Sequence, residues 1–277
     1  MQTSSYTPPA TSITRAFARA RSEGRGALIP YFMCGYPTAE RSVELVLAAA
    51  QAGADIIELG LPFSDPLADG ATIQRAGQVA LERGMTLTGC LEIARRVSAQ
   101  TDVPLLLMGY YNPILSYGIE RFCQDAAASG ASGLIIPDLP LEEATPLQQS
   151  ATQYGLALIF LVPPTAPDER IAAIVQAAER GIPGFLYCVA LSGVTGSRAD
   201  LPPHLREFVD KVRGYTKAYN LPIAVGFGLS TREHIAAVTG YADGAAVGSA
   251  IVNVIDRSAA SEQVNAIKTY IQSLMPQ

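Results

Sequence analysis

The chain is 277 residues long, 49% hydrophobic and 16% charged, with a formal net charge of −5. It is apolar enough to bury a large core as one domain spanning 1–277, and too apolar for a disordered chain. No long Lys/Arg run offers a footprint for nucleic acid or anionic lipid, so neither is expected as a partner. Cys34, Cys90, Cys123 and Cys188 form no C-x-x-C pair, and His204 and His234 lack acidic or cysteine partners at ligand spacing. Neither a metal site nor a redox dithiol is expected.

Residues 1–11 are expected to be a flexible segment. They lack a basic stretch followed by an apolar one, and no run of about 18 apolar residues occurs anywhere, so a cytoplasmic protein with reduced core cysteines is expected. The Ser/Thr/Arg-rich start leaves an organelle transit peptide as the other reading. Ser12 to Ser22 reads as an extra helix able to plug the floor of a larger fold. Eight short apolar runs follow: ALIPYFM from Ala27, ADIIELG from Ala54, PLLLMGY from Pro104, GLIIP from Gly133, ALIFLV from Ala157, GFLYCV from Gly184, PIAVGF from Pro222 and GAAVG from Gly244. Amphipathic stretches lie between them, such as those from Ala39 and Gly118, each closed by glycine; Thr38 and Ser230 stand where helix N-caps belong. Near-continuous apolar strands alternating with helices give a parallel sheet covered on both faces. Eight such units favour an α/β fold closed into a single (β/α)8 (TIM) barrel with an extra N-terminal helix, over an open doubly wound sheet. Reactive groups are then expected at the C-terminal ends of the strands.

The second strand runs into an acidic loop, ELGLPFSDPLADG, from Glu58 to Gly70. A carboxylate among Ile56, Ile57 and Leu59 costs several kcal/mol of desolvation unless it pairs or its pKa rises. Asp65 and Asp69 alone would read as turn residues.

The loop closely resembles the signature of the tryptophan synthase α subunit family, and the resemblance runs in register from about Ile29 to Asp256. GYYNP (Gly109 to Pro113), PDLPLEE (Pro137 to Glu143), PPTAP (Pro163 to Pro167), LSGVTGSR (Leu191 to Arg198), GFGLS (Gly226 to Ser230) and VGSAIV (Val247 to Val252) follow strands three to eight in order. The resemblance implies a carbon–carbon lyase that splits indole-3-glycerol phosphate, by a retro-aldol reaction, into indole and glyceraldehyde 3-phosphate for tryptophan biosynthesis. Glu58 matches the acid/base, Asp69 the carboxylate that accepts the indole N–H, and Tyr187 a tyrosine reaching both carboxylate and substrate. Gly196, Gly226, Phe227, Gly228, Gly248 and Ser249 match the phosphate site, in which backbone amides serve instead of Lys or Arg. Thr195 matches a lid residue that closes on Asp69. Tyr31, Tyr110 and Phe227 are candidates for the indole slot, with Ile135 and Leu107 behind them. The resemblance further implies no cofactor in this chain, a pyridoxal-phosphate β subunit as partner in an α2β2 assembly, and contact with it through Pro62 to Asp65, Asn112 and Pro113. A free-standing indole-3-glycerol-phosphate lyase would carry the same residues. A catalytically idle barrel and a phosphosugar isomerase are the more distant alternatives.

Overall fold

The structure is a computed structural model that describes residues 11–190, 201–202, 204–226 and 228–275. Eight parallel strands close in sequence order: β1 (Ala27–Met33), β2 (Ile57–Gly60), β3 (Leu105–Met108), β4 (Ala131–Ile135), β5 (Ala157–Val162), β6 (Leu186–Val189), β7 (Ile223–Gly226) and β8 (Gly244–Val247), with β8 pairing back onto β1. β1 and β5 run as the apolar pattern predicts. β2 is shorter, because Ala54 and Ile56 are buried without joining the ladder and hydrophobicity alone does not mark where pairing starts. β4 starts earlier, at Ala131, and its polar Ser132 accepts a hydrogen bond from the Ser12 hydroxyl at 3.0 Å.

Register sorts the strand residues into two faces. Tyr31 lies beside Glu58 and Glu58 beside Leu106, while Gly60 lies beside Met108 and Met108 beside Ile135. Side chains alternate along a strand, so this set shares the barrel interior, and Leu107, paired with Leu59, faces the helices. Leu107, a candidate for the indole slot, therefore does not face the barrel interior, whereas Met108 does.

The helix Ser12–Ser22 forms as expected and closes the barrel floor. Thr11 and Thr14 cap it reciprocally, and Ile13, Phe17 and Ala20 are buried, with Phe17 packed on Phe185 at 5.3 Å between ring centroids. Beside it Asp55, wholly buried, accepts hydrogen bonds from Arg25 at 2.5 and 3.0 Å, from Arg19 at 3.0 Å and from the Leu28 amide at 2.9 Å. Two further expectations are corrected. Thr231, not Ser230, caps the helix Arg232–Thr239, since its hydroxyl meets the His234 amide at 3.2 Å while the Ser230 carbonyl accepts the Tyr270 hydroxyl. His204 does have an acidic neighbour: its Nδ1 lies 3.3 Å from Glu207 Oε2, one helical turn away on an exposed surface. All four cysteines are buried and free of disulfides. Among the described residues no helix is long and apolar enough to cross a membrane.

Candidate active site

Glu58 sits at the centre of β2 with its side chain turned into the barrel and 1% of its surface exposed. Its Oε1 meets no hydrogen-bond partner among the described residues. Burial pushes its pKa up from 4.5 to about 8, so the carboxyl is protonated at neutral pH.

Asp69 reaches the same space from the loop after β2. Two tight turns shape that loop: the Leu67 amide donates to the Asp65 carbonyl and the Asp69 amide to the Pro66 carbonyl. Burial raises the Asp69 pKa to about 6, and a hydrogen bond from Tyr110 holds it down against that rise. The Tyr110 hydroxyl also accepts the Ala68 amide at 3.0 Å, and its ring packs on Phe63 at 5.4 Å. Tyr110 thus anchors the acidic loop from beside Asp69 and is not itself among the residues that line the cavity. Gln74 adds a second hold, donating to the Asp69 carbonyl at 2.9 Å.

Tyr31 and Tyr187 flank the carboxyls. Burial raises both phenols well above their ordinary value, with the Asp69 and Glu58 charges adding to Tyr31 and the Glu58 charge to Tyr187, so both remain protonated donors. Each needs a neighbouring glycine. A Cβ on Gly60 would overlap the Tyr31 hydroxyl, and one on Gly226 would overlap the Tyr187 hydroxyl.

One cavity is lined by Tyr31, Glu58, Asp69, Tyr187, Gly228, Gly248 and Ser249, together with Ile73, Met108 and Ala246. Gly228 has φ +84°, in the left-handed region that glycine occupies without strain. Gly248 and Ser249 open the helix Ser249–Arg257 and place its N-terminus at the cavity wall. Gly226 does not line the cavity; it lies within β7 opposite Val189 and makes room for Tyr187. Ile135 shares the interior face with Met108. Thr195, Gly196 and Phe227 lie outside the described residues, as does the whole LSGVTGSR motif, Leu191 to Arg198. Sequence reasoning missed Ile73, Met108 and Ala246; Met108 follows from the register between β2 and β3, which no signal within one strand records. The Asp138 carboxylate, from the PDLP motif, accepts the Tyr111 amide at 2.9 Å and so starts the helix after β3.

A larger cavity, about 720 Å3, opens on the opposite end of the barrel, beside Arg21, Thr239 and Met275. Its carboxylate, Asp243, is already paired with Arg21 and Arg213. The reactive cluster is the one on the C-terminal face. Two carboxyls with different affinities for a proton, between phenols and beside helix-terminal amides, define a (β/α)8-barrel enzyme equipped for acid–base chemistry on an anionic substrate.

A sequence model described as "Tryptophan synthase alpha chain" matches residues 17–275. The tryptophan synthase alpha chain of Chloroflexus aggregans is 51% identical over 264 residues, covering 95% of this chain and 96% of that one. Among solved structures, tryptophan synthase of Mycobacterium tuberculosis superposes with a TM-score of 0.86 at 36% identity, covering 96% of this chain and 97% of that one. A chain of the tryptophan synthase α2β2 complex of Pyrococcus furiosus gives 0.81 at 34% identity, over 90% and 98%. The chain belongs to the tryptophan synthase alpha chain family, lyases that cleave indole-3-glycerol phosphate.

Proposed function

We propose that Glu58 and Asp69 divide the retro-aldol cleavage of indole-3-glycerol phosphate between them. Glu58, protonated, gives its proton to indole C3. The C3–carbinol bond then breaks, its electron pair restoring the aromatic ring, and the carbinol hydroxyl becomes the aldehyde as its proton passes to the Glu58 carboxylate. Asp69, ionised, accepts the indole N–H and stabilises the positive charge that develops on the ring. Tyr187 donates to the carboxylate or the carbinol, and Tyr31 and Met108 form walls for the indole. The amides at Gly228, Gly248 and Ser249, with Gly196 and Phe227 from the family pattern, bind the phosphate. Thr195 closes over Asp69.

The observation that carries this reading is the pair of unequal pKa values, about 8 for Glu58 and about 6 for Asp69, in one cavity. Between those values one group is an acid and the other an anion, as the reaction requires.

The indole passes to a β subunit that carries the pyridoxal phosphate, in a cytoplasmic α2β2 assembly. Leu67, 91% exposed, and Leu115, 48% exposed, stand on the catalytic rim near Pro62 to Asp65, Asn112 and Pro113, and offer apolar surface to such a partner. The test is indole release from indole-3-glycerol phosphate by the chain and by Glu58→Gln, with and without a β subunit. Slow release that the partner accelerates and the variant abolishes is expected. Rapid release without the partner would favour a free-standing lyase, and inertness with it would remove the acid–base role from Glu58.

A further inference from the structure

Three consecutive βα units, the eighth, first and second, supply Ser249, Tyr31, and the Glu58/Asp69 pair to the cavity. They are joined a second time, away from it. Asp256, in the last turn of the helix Ser249–Arg257, bonds through one carboxylate oxygen to the Tyr36 hydroxyl and through the other to the Arg75 guanidinium. Arg75 closes the triangle by donating to the Tyr36 hydroxyl at 3.1 Å, with its guanidinium 5.9 Å from the Tyr36 ring centroid. Tyr36 follows β1 and is 7% exposed, and Arg75 lies in the helix Ala71–Glu82, which begins immediately after Asp69 and Gly70.

Two members of this triangle, Arg75 and Asp256, sit on helices that reach the cavity. The helix bearing Arg75 puts Ile73 into the cavity, and Gln74 next to Arg75 holds the Asp69 carbonyl. The helix bearing Asp256 begins at Gly248 and Ser249. The Arg75–Asp256 ion pair thus ties the helix that follows Asp69 to the helix that begins at Gly248 and Ser249.

We propose that Asp256, acting through Arg75 and Tyr36, is a positioning residue that holds the helix at the phosphate end of the cavity in register with the acid-bearing loop. The inference rests on the function proposed above. Its consequence is that phosphate binding aligns the indole with Asp69 only while the triangle is intact.

The test compares indole-3-glycerol phosphate with indole-3-glycerol, which lacks the phosphate, as substrates for the wild-type chain, Asp256→Asn and Asp256→Glu. Misplacing reacting groups by about 1 Å costs on the order of 10²-fold, so a partial loss of register in Asp256→Asn is expected to lower the phosphate's advantage in kcat/KM by about tenfold. The same variant should leave kcat/KM for indole-3-glycerol within about twofold, and Asp256→Glu should keep the advantage within about twofold, because it retains the charge. A proportional fall on both substrates, or no change on either, would overturn the inference and leave the triangle a stabilising contact only. A wild-type chain inert on both substrates would instead remove the proposed function, and this inference with it.

Discussion

The Tyr187 hydroxyl occupies the place that a side chain on Gly226 would take. The two residues come from neighbouring strands, β6 and β7, and Tyr187 registers with Ala224, two positions before Gly226. The glycine is thus a condition for the phenol to reach the Glu58 carboxyl.

Gly226→Ala is therefore expected to destabilise the chain by about 1–3 kcal/mol, the usual cost of overpacking, and to lower activity by displacing Tyr187. The new Cβ would also meet two carbons of the Tyr187 ring, so Tyr187→Ala, which removes ring and hydroxyl together, should make Gly226→Ala cost little in its background without restoring activity. Denaturant unfolding of the four chains in a double-mutant cycle measures this; additive losses would mean that the two residues do not compete for space.

The pH dependence of kcat/KM follows from the two carboxyls. Activity needs Asp69 ionised and Glu58 protonated, so the profile should rise near pH 6 and fall near pH 8. Tyr110 favours the ionised form of Asp69, so Tyr110→Phe should raise the Asp69 pKa and move the rising limb to higher pH, leaving the falling limb in place. Movement of the falling limb alone would contradict the assignment.

Glu58→Gln should cost about 10² to 10⁴ in kcat, the worth of a positioned acid–base group. It should also change stability in the opposite direction. The folded-state pKa of Glu58 is raised, so the folded chain binds more protons than the unfolded one between pH 4.5 and about 8, and stability falls as pH rises through that window. The neutral amide has no such dependence. Above pH 8 the variant is expected to have the higher Tm; thermal scans at pH 5 and pH 9 decide it.

At the barrel floor, Asp55→Ala should separate folding from catalysis. The substitution strands Arg25, whose guanidinium is held by Asp55, and releases the Leu28 amide. Breaking a buried pair costs about 3–5 kcal/mol. KM and kcat at a temperature where the variant is folded should stay close to wild type, since the floor lies opposite the catalytic cavity.

The sequence by itself determined the barrel and marked Glu58 as an unusual carboxylate, whereas Asp69 read alone as a turn residue and was singled out only by the family resemblance. Eight apolar runs alternating with amphipathic segments leave few ways to bury both faces of a parallel sheet, and a carboxylate embedded in Ile57 and Leu59 announces an altered pKa from its immediate neighbours. The N-terminal plug was legible as an extra helix from Ser12 to Ser22, while its capping by Thr11 emerged only in the structure. Tertiary structure alone decided which face each strand residue takes, and so put Met108 rather than Leu107 on the barrel interior. It also decided that Gly226 serves Tyr187, that Tyr110 carries the loop of Asp69, and that Asp256 meets Arg75 and Tyr36. Those relationships join residues from different βα units, and neither periodicity nor propensity within one segment records the register between segments. Closure of the barrel sets that register, and with it the distances between the side chains.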